Sequence, residues 1–372
     1  MSSHSENRWV LDRPNSYIGR SVPRPNAKRL LEGRGHFVDD IVLPRMLNVV
    51  FVRSPYAHAR ILSIDTTAAQ SYPGIVAVVT GAQLAERHEP WVGVLKHLQG
   101  IVSPPQYAMA VEKACWQGEA VVAILAKTRA EGEDAAESVQ IRWQELPVVA
   151  DAKTALDPDT PVIHDSLENN LCWERNFAAG DVDQAFETAA VVVEETFDIG
   201  RHTGVTVEPR SIVADYQPGE GKLTVYQSTQ APHMMQNVFA KHLGMNEGDV
   251  RVVTKDVGGS FGIKVHVYAD EFAAVALSKM FQRPVKFIAD RLESFVTDIH
   301  AREHLVKARM GVSKDGKIQA LEFDDLTGIG PYSMYPRTSG IEANQIVNLT
   351  GGAYRIENYK AATKVVFQNK NV

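Results

Sequence analysis

The first part of the chain alternates short apolar runs with short segments of helical character. Met46 to Val52 and Val121 to Leu125 are apolar runs of strand length, which is typical of buried β-strands. Thr128 to Glu131 has the spacing of a capping box and predicts a helix that runs to about Ser138. Strands that alternate with helices in this way predict one mixed α/β domain over residues 46–150.

Helix- and strand-breaking residues mark the two ends of this domain. Residues 1–45 contain four prolines, among them Pro14 and Pro44, together with several glycines, so we expect an irregular N-terminal arm. Residues 151–175 are polar and contain further prolines, which predicts a linker.

Residues 176–372 predict a second region of strands and helices. Two hairpins are expected, across residues 217–221 and 314–316, and Asp270 to Met280 is an alanine-rich helix. The combined pattern predicts an α+β fold. The last predicted strand, Ala361 to Phe367, is followed by only five residues, so we expect this chain to be the incomplete first part of a larger unit.

Composition narrows the class of protein. The 372 residues carry 39 Lys and Arg against 45 Asp and Glu, a formal charge of −6, which argues against a nucleic-acid partner. Two cysteines, Cys115 and Cys172, can supply neither a disulfide framework nor the ligands of an iron–sulfur cluster. Neither a secretory signal nor a membrane span is visible, so we expect a cytoplasmic protein.

The most informative segment is glycine-rich. Gly258, Gly259 and Gly262 fall within five residues, between a strand pattern and a helix pattern. Glycines let the backbone adopt positive φ and approach a ligand closely, and converging N–H groups favour an anion. A tight turn without a ligand is an equally good interpretation, because neither a G-x-G-x-x-G motif nor a P-loop is present.

A second candidate lies at the end of a predicted strand. Gln230 precedes Pro232, which occupies the position of a first helical residue, and such strand ends present side chains to a crevice. The amide of Gln230 offers both a donor and an acceptor. Taken alone, Gln230 is better interpreted as a solvated loop glutamine.

Several separated motifs together resemble the large, molybdopterin-binding subunit of the molybdenum hydroxylases, a family that includes xanthine dehydrogenase, aldehyde oxidase and aerobic carbon monoxide dehydrogenase. The resemblance covers nearly the whole chain and rests on residues 33–41, 53–61, 207–210, 221–233, 256–262 and 290–291. It implies an α/β hammerhead domain over 46–150 and the first part of a molybdopterin-binding domain over 176–372.

The resemblance also assigns roles to residues. It implies that the Gly258, Gly259 and Gly262 backbone packs beside the cofactor and that Gln230 approaches an oxygen ligand of the metal. Phe261 is then expected near the substrate. The pterin holds the molybdenum in this family, so no protein metal ligand is expected.

The chain departs from the family pattern at one pocket position. Val265 stands where purine-oxidising members have a Glu, and it is similar to the aldehyde- and carbon-monoxide-oxidising members. We therefore expect Val265 to line the substrate pocket with Phe261.

The implied reaction oxidises an aldehyde, an aromatic N-heterocycle or carbon monoxide, with water as oxygen source. The resemblance places the catalytic Glu beyond the position that matches Val372, so no catalytic residue is expected in this chain. An iron–sulfur small subunit and an FAD medium subunit are implied as partners, with a second polypeptide as one way to complete the unit. The cofactor is molybdopterin, with the cytosine dinucleotide as one form. Two other classes stay open, a nucleotide- or flavin-binding module that uses the glycine turn and a non-catalytic scaffold.

Overall fold

The computed structural model of the chain describes residues 17, 20–93, 95, 97–335 and 338–371, so Pro14 and most of the first nineteen residues of the predicted arm lie outside the described residues. In chain order the strands are β1 (Leu47–Arg53), β2 (Ala59–Asp65), β3 (Ile75–Thr80), β4 (Lys113–Ala114), β5 (Ala120–Ala126), β6 (Gln140–Glu145), β7 (Leu171–Ala179), β8 (Val191–Ile199), β9 (Ser211–Gln217), β10 (Lys222–Gln227), β11 (Val250–Val253), β12 (Val285–Ile288), β13 (His304–Val312), β14 (Ile318–Gly328) and β15 (Asn358–Val366). The helices are α1 (Ala27–Leu31), α2 (Thr67–Gln70), α3 (Gly81–Ala85), α4 (Arg129–Ala136), α5 (Val182–Thr188), α6 (Pro232–His242), α7 (Ala269–Phe281), α8 (Arg291–Thr297) and α9 (Ser339–Leu349).

Within the described residues these strands form three sheets. The central sheet has seven strands in the order β11-β10-β9-β12-β1-β5-β3, the second sheet has five in the order β7-β15-β14-β13-β8, and the small sheet is β4-β2-β6. The α+β fold and its hairpins, β9–β10 and β13–β14, are as the sequence predicts.

The central sheet joins the two predicted regions of the chain. Strand β1 pairs in parallel with β12, in the register Leu47 to Val285, and antiparallel with β5. Helix α7 packs on β9 and β12, and residues Asp270 to Ser278 of this helix are all buried. Strands β1 and β5 of the predicted hammerhead domain, called the hammerhead strands below, therefore share one hydrophobic core with β12 and α7. This shared core fixes the relative position of the two regions.

The second sheet carries helices on opposite faces. Ala320 packs with the apolar residues of α5, whereas Phe323 packs with Val347 of α9. An odd spacing along a strand points two side chains to opposite faces, so α5 and α9 cover different sides of the sheet. Strand β8 forms one edge, and all nine of its residues are exposed.

Residues 151–175, expected to be a linker, pack into a core. Ala155, Ile163 and Cys172 are buried in one apolar cluster, and β7 begins at Leu171 within this range. The side chain of Asn170, 2% exposed, makes this possible because it accepts from the Ile163 N–H and donates to the Ala155 carbonyl. A side chain that satisfies buried backbone groups lets a polar, proline-containing segment pack inside the protein.

None of the helices in the described part of the chain combines the length and apolar character that crossing a membrane requires. Cys115 and Cys172 are free and buried. Burial raises the pKa of the Cys172 thiol to about 12, so this residue is uncharged at neutral pH.

Candidate cofactor and substrate site

The glycine turn adopts the left-handed backbone that its composition predicts. Gly259 has φ 104° and Gly262 has φ 91°, which L side chains rarely adopt. Phe261 between them has φ 49° although it is not glycine, and its side chain is 78% exposed. Gly258 serves packing instead, because a Cβ there would lie 2.4 Å from the Cβ of Glu208.

A buried lysine holds this turn in place. The Lys264 ammonium donates to the Glu208 carbonyl at 2.8 Å, to Glu208 Oε2 at 3.0 Å and to Ser228 Oγ at 2.9 Å. Glu208 Oε2 also accepts from Ser228 Oγ and from the Gly258 N–H, both at 2.7 Å. We call these four residues the Glu208–Lys264 clamp. Burial lowers the pKa of Lys264, and the Glu208 carboxylate opposes that effect.

The same lysine positions Gln230 through its backbone. The Lys264 carbonyl accepts from the Gln230 N–H at 2.9 Å and from Thr229 Oγ1 at 3.0 Å. The Gln230 side chain is exposed, and its amide makes no hydrogen bond to the residues that the structure describes. The structure therefore brings Gln230 and the glycine turn together, as the sequence analysis expects.

The N-terminal arm anchors the start of the turn. Arg29 donates to both carboxylate oxygens of Asp256, at 2.7 and 2.6 Å, and the His36 N–H donates to the same carboxylate at 2.8 Å. The Arg29 guanidinium holds the pKa of Asp256 well below its usual range. The arm thus fixes the residue two positions before Gly258.

A second buried charge lies two residues after Glu208. Arg210 is 0% exposed and donates to both oxygens of Asp270, at 2.7 and 3.0 Å, and to Asp298 at 2.6 Å. Its guanidinium lies 3.8 Å from the centre of the Tyr268 ring, within cation–π range. Burial alone would lower the pKa of Arg210, but the surrounding carboxylates raise it well above its ordinary value.

This cluster also reaches the hammerhead strands. Arg53, at the end of β1, donates to Asp270 at 3.0 Å and to Glu293 at 2.5 Å. Burial would raise the pKa of Asp270, but Arg210 and Arg53 together lower it to about 2. Asp270 is therefore an anion shared between the two parts of the chain.

A cavity of about 310 Å³ opens beside the turn. Phe261 and Val265, the two residues predicted to contact the substrate, both line it. Its walls also contain polar residues that the sequence analysis did not single out, among them Thr203, His300, Arg302 and Glu342. Glu342 was missed because α9 was not predicted, and Arg302 because it lies in a loop.

We expect Lys264→Met to destabilise the chain by about 3–5 kcal/mol, because it leaves the Glu208 carboxylate without its cation. Urea unfolding of the wild type and the variant measures this difference. Lys317→Met is the matched control, since Lys317 is 82% exposed and should change stability by less than about 0.5 kcal/mol. Equal stability of Lys264→Met and the control would show that the clamp does not hold the turn.

Comparison with known proteins places these features in a family. Residues 32–147 match the family model "Aldehyde oxidase and xanthine dehydrogenase, a/b hammerhead domain", and residues 163–372 match "Molybdopterin cofactor-binding domain". Among curated relatives, the nicotine 6-hydroxylase large subunit of Paenarthrobacter nicotinovorans is 34% identical over 92% of this chain and 43% of the relative. The carbon monoxide dehydrogenase large chain of Hydrogenophaga pseudoflava is 33% identical over 94% and 44%.

A solved structure gives the same result. Quinoline 2-oxidoreductase from Pseudomonas putida 86 superposes with a TM-score of 0.91 and 33% identity, over 95% of this chain and 45% of that chain. The chain thus spans less than half the length of these relatives. The comparisons do not favour a nucleotide- or flavin-binding module. The chain belongs to the molybdenum hydroxylase family and matches its molybdopterin-binding large subunits.

Proposed function

We propose that this chain forms one wall of the active site of a molybdenum hydroxylase, which oxidises an aldehyde, an aromatic N-heterocycle or carbon monoxide with water as oxygen source. The observation that carries the proposal is the double role of Lys264. Its ammonium holds the glycine turn and its carbonyl holds Gln230, so two candidate cofactor contacts share one anchor. A scaffold that only docks partners would need neither contact.

The residues present fit a cofactor that brings its own metal ligands. Ser260 Oγ is buried in the turn without a hydrogen-bond partner among the described residues, and a Cβ at Gly262 would meet nothing within 4 Å. The exposed amide of Gln230 is likewise available. No group of three or more His, Cys, Asp or Glu within the described part of the chain could hold a metal ion. Donors of this kind suit a pterin and its phosphate better than a bare metal ion.

The residues have separable roles in this proposal. When bound, the molybdenum cofactor supplies two-electron redox chemistry. Gln230 and the backbone of Gly258, Gly259 and Gly262 bind and orient it. Phe261 and Val265 form an apolar surface for the substrate, and the catalytic base lies in residues beyond Val372.

Further features of the assembly belong to the proposal. Iron–sulfur and FAD subunits carry electrons away, and additional polypeptide completes the molybdenum unit, either in the same chain or as a second subunit. Strand β8 supports a second subunit, because its sheet edge presents apolar side chains to which another chain could bind. Val191, Val193 and Phe197 on this edge are each more than half exposed. We also propose a cytosine dinucleotide form of the cofactor and a cytoplasmic location, the second consistent with two free cysteines.

The proposed domain division follows the sequence analysis, with a hammerhead domain over 46–150 and a molybdopterin-binding part over 176–372. The ranges matched by the two family models, 32–147 and 163–372, support this division. Residues 151–175 are then a packed connection between the two.

We expect Gly259→Val to lower the pterin content of the native complex. The branched valine would have to adopt φ 104°, at a cost of about 1–3 kcal/mol. Its Cβ would also lie 3.2 Å from the Phe261 ring. Pterin released by acid and measured by fluorescence, normalised to this chain, gives the occupancy.

Gly219→Val is the control for this experiment. Gly219 lies in the β9–β10 hairpin loop, and a Cβ there would meet nothing within 4 Å. Circular dichroism checks that both variants stay folded. Wild-type pterin content in folded Gly259→Val would exclude this turn as a cofactor contact.

We expect the isolated chain to show no turnover, because the base is proposed to lie beyond Val372 and Glu208 is engaged by Lys264. Steady-state oxidation of benzaldehyde and quinoline with a dye acceptor tests this, with the native complex as positive control. Turnover by the isolated chain would mean that the catalytic base lies within these 372 residues.

A further inference from the structure

The cavity beside the glycine turn contains unusual backbone. Phe261 and Arg302 both line it, and both are non-glycine residues with positive φ, 49° and 72°. Such a conformation is strained for an L side chain and persists only where the surroundings enforce it. Two on the walls of one cavity indicate that the shape of this cavity is maintained against a local cost.

One carboxylate faces this cavity with unused acceptor capacity. Glu342, in the first turn of α9, has a side chain that is 29% exposed. Glu342 Oε2 accepts from the Arg302 N–H at 3.3 Å, while Oε1 lies 3.8 Å from Arg302 Nε, beyond hydrogen-bond distance. A carboxylate offers about four acceptor sites, so Glu342 can accept more hydrogen bonds from a molecule in the cavity.

Neighbouring cationic groups keep this carboxylate ionised. His304 Nε2 lies 3.8 Å from Glu342 Oε2, and the other ring nitrogen of His304 contacts Asp325 at 2.9 Å. Burial opposes charge on His304, but the two carboxylates raise its pKa to about 9. Burial likewise opposes charge on Glu342, but His304 and Arg302 outweigh it and lower the pKa of Glu342.

Thr203 and His300 also line the cavity, but Thr203 Oγ1 and His300 Nε2 are themselves buried and lack partners among the described residues. Burial lowers the pKa of His300, so its imidazole is neutral at pH 7. The cavity therefore combines the exposed phenyl ring of Phe261, the anionic acceptor Glu342 and the side chain of Arg302 beside it.

We propose that Glu342 is a specificity-determining residue: it accepts a hydrogen bond from an N–H group of a planar nitrogen heteroaromatic substrate whose ring lies against Phe261. This inference rests on the proposed function and narrows its substrate class. A carboxylate that faces a cavity disfavours molecules without a matching hydrogen-bond donor. Such a molecule displaces the water bound to the carboxylate but donates no hydrogen bond in its place.

The other substrate classes match the cavity less well. Carbon monoxide and simple aldehydes offer no hydrogen-bond donor to Glu342. A cavity of about 150 Å³ suffices for benzene in another protein, so about 310 Å³ has room for one or two fused rings. The polar groups, rather than the volume alone, favour the heteroaromatic.

A matched pair of probes tests the proposal on the native complex. Quinazolin-4(3H)-one carries a ring N–H, and 3-methylquinazolin-4(3H)-one replaces that hydrogen with a methyl group. Calorimetry measures the Kd of both for the wild type, for Glu342→Gln and for Glu357→Gln. Glu357 is the control because it is a surface residue paired with Arg355 outside the cavity.

We expect the wild type and Glu357→Gln to prefer the N–H probe by about tenfold or more, and Glu342→Gln to lose most of that preference. If Glu342 had only a structural role, Glu342→Gln would weaken the binding of both probes equally and leave the ratio of their Kd values unchanged. An unchanged ratio, or no binding of quinazolin-4(3H)-one to the wild type, would overturn the proposal.

Measurements of probe binding and of turnover distinguish a failure of the specificity proposal from a failure of the proposed function. If the complex oxidises aldehydes or quinoline while Glu342→Gln leaves the probe ratio unchanged, only the specificity proposal fails. If the probes bind with the expected ratio but the complex contains no molybdenum and oxidises nothing, the specificity of the cavity stands and the proposed oxidation fails.

Discussion

Two charged side chains, Glu208 and Arg210, fix the geometry on which the candidate site depends. They stand two residues apart and engage different partners, Glu208 the Lys264 ammonium and Arg210 the carboxylates of Asp270 and Asp298. Buried charges are strongly destabilising when unpaired, so each can persist only where its partners are in place. The segment just before β9 is thereby tied both to the glycine turn and to the start of α7.

This arrangement explains why the hammerhead strands and the candidate site are held in a fixed relative position. The central sheet pairs β1 with β12, and at the end of β1 Arg53 shares the Asp270 carboxylate with Arg210. A change in the pairing of β1 with β12 would therefore displace the Asp270 carboxylate, which positions Arg210. The glycine turn is held by a network that begins outside its own region of the chain.

Local patterns in the sequence predicted much of this fold, and the site in part. Alternation and turn residues predicted the hairpins, α7 and the strand that precedes the glycine turn, because each of these depends on neighbouring residues. Gln230 and the turn were identified, but their common anchor was not, since Lys264 and Glu208 are 56 residues apart. The polar cavity wall was also missed, because α9 and the Arg302 loop give no local signal of a shared pocket. A polar, proline-containing composition predicted a linker at 151–175, whereas the Asn170 side chain allows that segment to pack.

Metal and pterin analysis of the native complex tests most directly whether this chain helps to hold a molybdenum cofactor. The complex is purified through this chain, its molybdenum is measured by mass spectrometry, and its pterin by fluorescence. We predict about one molybdenum and one pterin per copy of the chain. A folded complex that contains neither would contradict the account.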